Sequence, residues 1–454
     1  MNKNALFDLT VTGLSNDGCG VGRYGGMAVF VPFSAAGDEL SVRALKITKS
    51  AVYGKIERII KPSADRIIDG CGVFGRCGGC DFRHISYEAE LRAKEVFIRD
   101  AFTRVGKLSP EFQPITGGGE SANYRNKAQY PVGLDKSGGA VYGFYAVRSH
   151  RIISLYKGVN CALHPDVFGE IADFITDFIR EKRLSVYDEA AHGGDIRRIC
   201  IRRGHYSGEI NVTLVARRKV PELSEAARRI MKNFPAVKGV TLNVNPDKTN
   251  AVLGKKEIAL AGESDITDTM NGNKIVISPR SFYQVNTPAA EALYGIVSDF
   301  AEPGGKLIAD LYCGIGAIGL SAADRAKGVI GVELSESAVG NAAENARLNG
   351  FANTRFFHGD AAAAARTLAS EGVRPDVVIL DPARKGCDET ALEGTAALSP
   401  ERIVMVSCNP ATAARDCARL AKAGYKTTKV RGCDLFPRTR HVECAALLEK
   451  GNYP

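Results

Sequence analysis

Two residues in the 454-residue chain have the type and setting for covalent chemistry: Cys408 in VMVSCNPAT and Glu443 in FPRTRHVECAAL. Each stands at one end of an apolar, strand-like run. Cys408 is expected exposed at a strand tip, facing the N-terminus of the next helix, a setting that lowers a thiol's pKa. A pyrimidine C5 is too weak a nucleophile to take a methyl group from a sulfonium. A thiolate adding to C6 makes C5 enolate-like, and methyl transfer can then follow. A base must afterwards remove the C5 proton so that elimination frees the cysteine, and Glu443 is the best-placed candidate. The plainer alternatives are a buried strand-end thiol for Cys408 and a surface partner of Arg438 or Arg440 for Glu443. Methylation of an exocyclic amine needs no nucleophilic cysteine and commonly uses Asn or Asp followed by two prolines and an aromatic. This chain has Asp-Pro-Ala-Arg at 381–384 instead.

Such chemistry requires a donor site, and DLYCGIGAIGL offers one. Gly314, Gly316 and Gly319 satisfy G-x-G-x-x-G, and Glu333 follows Asp310 by 23 positions at the end of the next strand. Small residues allow a ligand to approach the backbone at a helix N-terminus, and the distal acid can accept ribose hydroxyls. The glycines alone would also fit a nicotinamide dinucleotide oxidoreductase. Asp310, beside the loop, repels a pyrophosphate but can hold the cationic amino group of S-adenosylmethionine, which favours the methyl donor.

A third group is Cys71, Cys77 and Cys80, spaced C-x5-C-x2-C with Gly72, Gly75, Gly78 and Gly79 between them. Glycines permit tight wrapping and leave N–H groups free to donate to sulfur. Three clustered thiols need a fourth, and Cys161 in GVNCALHP is the natural candidate. An iron–sulfur cluster and a structural zinc both remain open at this point. The other seven cysteines, Cys19, Cys200, Cys313, Cys387, Cys417, Cys433 and Cys444, read as ordinary thiols.

The elements that position these groups fall into about three domains. Residues 1–68 read as a small OB-like β-barrel, with strands over 28–31, 39–48 and 53–60. Residues 69–277 form a mixed α+β central domain with the cysteine loop, a helix capped by Ser86 and a second helix near 164–181. From 278 to 454 apolar strands alternate with Ala-rich helices. That pattern predicts a Rossmann-like α/β fold closed by two antiparallel strands near 426–431 and 442–448. Lys plus Arg number 60 against 51 Asp plus Glu, a net +9 that suits a polyanionic partner. Two basic segments are candidates for contacting it: NYRNKAQY, with Tyr124 to Lys127, and an arginine-rich hairpin turning near Tyr206–Gly208. In the hairpin Arg197, Arg198, Arg202, Arg203, Arg217, Arg218 and Lys219 form either a phosphate-tracking surface or a charged edge. The start lacks the apolar core of a signal peptide and no run is long enough to span a membrane, so a cytoplasmic location is expected.

Taken in order, SPRSFYQVNT, DLYCGIGAIGL, GVELSESAV, ILDPARKG, VSCNP and DLFPRTRHVE resemble the RNA uracil-C5 methyltransferase family, specifically its 23S ribosomal RNA branch. The resemblance implies that Gln284, Tyr312, Glu333, Asp360 and Asp381 line the cofactor and substrate pocket. It makes Cys408 the nucleophile and Glu443 the proton acceptor. It further implies a TRAM-type RNA-binding barrel at 1–68 and a [4Fe–4S] cluster on Cys71, Cys77, Cys80 and Cys161. The segment 89–117 is expected to pack on the catalytic domain. A monomer that flips a uridine out of ribosomal RNA is the implied mode of action. The neighbouring readings are a transfer-RNA enzyme of the same family, expected to be shorter and to lack barrel and cluster, and a non-catalytic iron–sulfur RNA-binding protein.

Overall fold

The computed structural model describes residues 2–451. The first unit is a six-stranded sheet of β1 (Leu6–Thr10), β2 (Gly13–Leu14), β3 (Cys19–Tyr24), β4 (Met27–Pro32), β5 (Glu39–Ile47) and β6 (Ala51–Lys61). β1 pairs with β5, whereas β2, immediately after it, pairs with β3, so one run of chain belongs to both ends of the sheet. Alternation along β5 and the start of β6 turns Leu40, Val42, Ala44 and Val52 inward onto Val29 and Val31.

The glycine-rich turns of the cysteine loop follow, then helix α1 (Tyr87–Asp100), continued by a wider π turn over Ala101–Val105. Ser86 caps α1 by accepting the amide of Ala89. Phe97, Ile98 and Phe102 are buried on one face, while Val96 lies outside it. Strand β7 (Glu111–Thr116) then leaves this unit and pairs in parallel with a strand more than 300 residues later. The central sheet contains β8 (Lys127–Leu134), β9 (Ala140–Tyr145), β10 (Ile152–Ser154), β11 (Ile196–Arg203), β12 (Ile210–Ala216), β13 (Val237–Val244) and β14 (Lys256–Gly262). Its order is β10-β9-β8-β11-β12-β13-β14. Helices α2 (Asp166–Glu181) and α3 (Leu223–Asn233) cover one face with an apolar stripe that includes Phe168, Ile171, Ile175, Ala226 and Ile230.

The arginine-rich hairpin is β11–β12, at the middle of this sheet rather than at an edge. Its charges are largely committed internally. Arg202 is buried and donates to the carbonyls of Ser278 and Ser281, Arg197 donates to those of Asn245 and Asp247, and Arg218 pairs with Asp195. The hairpin is therefore not the charged edge that one of its two readings expected, and several of its guanidinium groups hold loops, while Arg218 and Lys219 stay exposed.

The hairpin β15 (Ile266–Met270) and β16 (Asn273–Ile277) packs Ile266, Met270, Ile275 and Ile277 into the catalytic core. The catalytic sheet alternates α4 (Thr287–Ala301), β17 (Leu307–Asp310), α5 (Ala317–Ala323), β18 (Gly328–Glu333), α6 (Glu336–Leu348) and β19 (Thr354–His358). It continues with α7 (Ala361–Ser370), β20 (Val377–Leu380), α8 (Glu389–Ala397), β21 (Arg402–Ser407), α9 (Pro410–Lys422), β22 (Tyr425–Cys433) and β23 (Glu443–Lys450). The order β19-β18-β17-β20-β21-β23-β22-β7 has β23 antiparallel to both neighbours. Helices cover both faces, which is why β20 and β21 read as unbroken apolar runs. The carboxyl ends of β17, β18, β20 and β21 meet the start of β23, and the chemistry collects there.

Candidate active site

Asp310 ends β17 and is fully buried. The amides of Tyr312 and Gly319 lie near its carboxylate, yet neither oxygen makes a hydrogen bond of good geometry. Burial pushes its pKa up to about 7. A buried carboxylate without a partner suits a cationic ligand. Beside it Gly316 takes φ +84° as the residue entering α5, a backbone that favours glycine. A Cβ at Gly319 would come within 2.9 Å of Val329, so glycine there lets α5 close onto the sheet above Asp310. Glu333, at the end of β18, accepts the amides of Gly314 and Ser335 and is partly exposed. Tyr312 is half-buried with its hydroxyl against Cys387, and the exposed Asp360 caps α7 through the amide of Ala363. These residues fit S-adenosylmethionine: an unpaired buried acid, a glycine turn at a helix N-terminus, and an acid one strand away.

Cys408 follows β21, and Asn409 caps α9 after it. The thiol is half-buried rather than exposed. Burial first, then the charge of Glu443, raises its pKa, whereas the guanidinium of Arg384, within hydrogen-bonding reach, lowers it. The net direction is upward, opposite to the low pKa expected of Cys408, and desolvation is its largest cause. Glu443 opens β23 and is buried; burial and the neighbouring Asp381 push it up to about 8. The surface ion pair considered for it is not formed. Arg438 donates to the carbonyl of Ile85 and to Ser121, and Arg440 faces Asp81. Asp381 follows β20; burial and Asp310 raise it to about 7.

Two side chains join this group that the sequence did not single out. Tyr294 of α4 is buried, lies within the fields of Asp381, Asp310 and Glu443, and has its hydroxyl against the side chain of Gln284. Arg384 faces Cys408, Glu443 and His441. Arg384 stood in the DPARKG segment already noted, but Tyr294 reads as one more apolar position of an amphipathic helix. An open cavity of 1220 Å³ begins at Cys408 and Arg384 and extends past His441 and Arg440 to Arg104 and, on the N-terminal sheet, Arg23. The N-terminal sheet therefore walls the cavity that leads to Cys408.

The YRNK segment differs from its expectation. None of Tyr124 to Lys127 is exposed: the Tyr124 hydroxyl donates to the Pro437 carbonyl, and Asn126 donates to Gln284 and Thr287. Cys71, Cys77, Cys80 and Cys161 are all partly buried and lie within one another's electrostatic range. Burial pushes Cys80 up to about 12, while Arg83 and Arg125 oppose that rise. Arg83 is buried and has one guanidinium nitrogen, Nη1, without a partner. Among the described residues, no three His, Cys, Asp or Glu side chains converge as a ligand set for one metal ion. No helix among them is long and apolar enough to cross a membrane.

Comparison with known proteins bears on both halves of the chain. The family model described as tRNA (Uracil-5-)-methyltransferase matches residues 204–451, and that of the TRAM domain matches residues 3–56. An uncharacterized RNA methyltransferase of Halalkalibacterium halodurans is 41% identical over 100% of this chain and 98% of its own. One from Clostridium tetani is 37% identical over 99% and 97%. Among solved structures, the Pyrococcus abyssi tRNA (uracil-54, C5)-methyltransferase in complex with S-adenosyl-L-homocysteine superposes with a TM-score of 0.75 at 24% identity. That match covers 97% of this chain and 100% of the other.

Proposed function

Because this chain belongs to the RNA uracil-5-methyltransferase family and is an S-adenosylmethionine-dependent RNA (uracil-C5)-methyltransferase with a TRAM domain, we propose that it methylates a uridine of 23S ribosomal RNA through a covalent adduct on Cys408. The observation that carries the chemical half of this reading is the convergence of Cys408, Arg384, Asp381 and the buried Glu443 at the ends of three neighbouring strands.

Asp310, Glu333, Tyr312 and Asp360 hold the cofactor, which supplies an electrophilic methyl group. The uridine enters from the cavity, with Gln284 and Asp381 as the polar groups facing its ring. Arg384 draws the Cys408 proton balance toward thiolate. The thiolate adds to C6 and loads electron density onto C5, which takes the methyl group. Glu443, a stronger base for its raised pKa, removes the C5 proton, and the C6–sulfur bond breaks to return the thiolate.

Cys71, Cys77 and Cys80 of the loop, with Cys161, are proposed to hold a [4Fe–4S] cluster. Supporting this are four thiols close enough to act on one another's charge, with Arg83 and Arg125 beside them as cations that suit a dianionic cluster. Methyl transfer moves no electrons, so the cluster's role in this reading is structural.

One observation favours a second substrate reading. A barrel and the cysteine cluster were expected to mark the ribosomal branch, yet the Pyrococcus abyssi enzyme, whose name gives a transfer-RNA substrate, matches nearly the whole fold. Domain content therefore does not separate the two, and the ribosomal assignment rests on the sequence motifs and the cysteine spacing. Transfer of labelled methyl groups to unmodified ribosomal and transfer RNA, with the product base mapped, decides it. Label at a 23S uridine C5 is expected; label on transfer RNA alone contradicts the assignment.

A further inference from the structure

Glu443 is preceded by a short strap, Asp434–Val442, that crosses the junction of all three domains. Four backbone groups of its centre, the Pro437 carbonyl, the Arg438 amide and carbonyl and the Arg440 amide, are held from outside the strap. The Arg438 carbonyl accepts from the amides of Asp81 (2.9 Å) and Phe82 (3.1 Å), both in the segment just after Cys80. In return the Asp81 carboxylate accepts the amide of Arg440 through Oδ2 at 3.0 Å and its guanidinium through Oδ1 at 3.5 Å. The Pro437 carbonyl accepts the Tyr124 hydroxyl at 3.0 Å. On the other side Glu90 accepts the Arg438 amide at 2.8 Å, and Lys94, wholly buried, bonds Glu90 and Asp434. Arg438 has φ +71°, a backbone that a non-glycine residue keeps only where its surroundings hold it.

Asp81 is the pivot of this arrangement. Gly18, in a barrel turn with φ +85°, lies so close that a Cβ there would sit 3.1 Å from the Asp81 side chain. The Arg440 guanidinium also donates to the Asp17 carbonyl at 3.3 Å. One carboxylate thus pins the strap to the cysteine loop with the barrel turn packed against it. None of these contacts touches Cys408, which follows β21 and precedes its own capped helix. The strap leads directly into Glu443, three residues after Arg440.

We propose that Asp81 is a positioning residue for the second half of the reaction: by fixing the strap it aims Glu443 at the C5 proton, and so ties the fold of the cysteine loop to release of the methylated RNA. The inference rests on Glu443 being the base. In chemical terms, addition of the thiolate and methyl transfer proceed without Asp81. Transfer of the C5 proton to Glu443, with cleavage of the C6–sulfur bond, is the step that depends on it.

The test compares Asp81→Ala, Asp81→Asn, Tyr124→Phe and Glu443→Gln in full-length enzyme on the unmodified transcript that the wild type methylates. The readouts are single-turnover methyl transfer, steady-state turnover, and the fraction of RNA bound covalently on a denaturing gel. Asp81→Ala is expected to keep single-turnover methyl transfer within about twofold but to lower turnover about tenfold or more and to accumulate adduct, as a small misplacement of a base does. Asp81→Asn keeps an oxygen that accepts the Arg440 amide and should recover most of the turnover. Tyr124→Phe, isosteric and pulling on the same strap, should show the same signature more weakly, and serves if the alanine variant does not fold. An Asp81→Ala or Tyr124→Phe enzyme that loses methyl transfer and release together, or that forms no adduct while Glu443→Gln does, overturns the inference. Asparagine that behaves like alanine overturns it too. Absence of adduct in Glu443→Gln itself removes the base assignment beneath it.

Discussion

Asp381 lies close enough to Glu443 for its charge to add to burial, the larger cause, and together they push the glutamate up to about 8. The pair belongs to a row of acids, because Asp310 acts on Asp381 in the same way and burial pushes both up to about 7. Such a row of carboxylates is unfavourable without a cation among them, and the donor site beside Asp310 is where a cationic cofactor is expected to sit.

This arrangement fixes the pH dependence of stability in the cofactor-free protein. All three acids have folded pKa values above their ordinary values near 4. Between pH 4 and 8 the folded state therefore retains protons that the unfolded chain has released. Their stabilising contribution is complete below about pH 4 and is lost as pH rises through 7 to 8, by at most about 1.4 kcal/mol per pH unit for each group. Thermal unfolding from about pH 5.5 to about pH 8.5 should show Tm falling, and Asp310→Asn should flatten the fall. An unchanged slope in that variant contradicts the burial of an ionisable Asp310.

The same residue should govern cofactor affinity. Loss of a charge-assisted bond is worth roughly 1.5–3 kcal/mol, so Asp310→Asn should weaken S-adenosylmethionine binding about ten- to a hundredfold by calorimetry. Cys408→Ala, distant from that contact, should bind cofactor normally while abolishing methyl transfer.

Arg384 lowers the Cys408 pKa against burial and Glu443. Arg384→Gln should therefore raise the thiol pKa and slow adduct formation near neutral pH. The rate should recover partly as the pH is raised. A uniform loss at every pH would assign Arg384 to RNA binding instead, since it also lines the cavity.

Lys94, Glu90 and Asp434 form an ionic triad with no solvent exposure and contacts of 2.6 and 2.7 Å. Replacing Lys94 by Met leaves two buried carboxylates without their cation and should cost about 3–5 kcal/mol, read as a large fall in Tm. A fall of only a degree or two would show that the triad is not closed to water.

The legible parts of this molecule were those set by local pattern. The alternation of apolar strands with Ala-rich helices announced the C-terminal sheet, and the offset between Asp310 and Glu333 marked the candidate donor site. Cys408 and Glu443 could be named because strand ends are visible as the last residue of an apolar run. What could not be read was which polar groups tertiary contacts would bury. Arg202 and Tyr124 carry the chemistry of RNA ligands, yet the fold uses them to tie the central domain to residues 278–281 and 437. Tyr294 escaped for the opposite reason, since at helical spacing its hydroxyl leaves no trace in an apolar stripe. The upward shift of the Cys408 thiol could not be read either, because a helix terminus is local, whereas desolvation and the field of Glu443 are set by the whole fold.

The central claim is that Cys408 and Glu443 divide the reaction between adduct formation and release. Glu443→Gln enzyme incubated with S-adenosylmethionine and labelled, unmodified RNA tests it directly. A methylated RNA–protein adduct that survives a denaturing gel, and that disappears when Cys408 is also changed to Ala, is the expected result. Free methylated product at the wild-type rate, or an adduct that persists without Cys408, would contradict it.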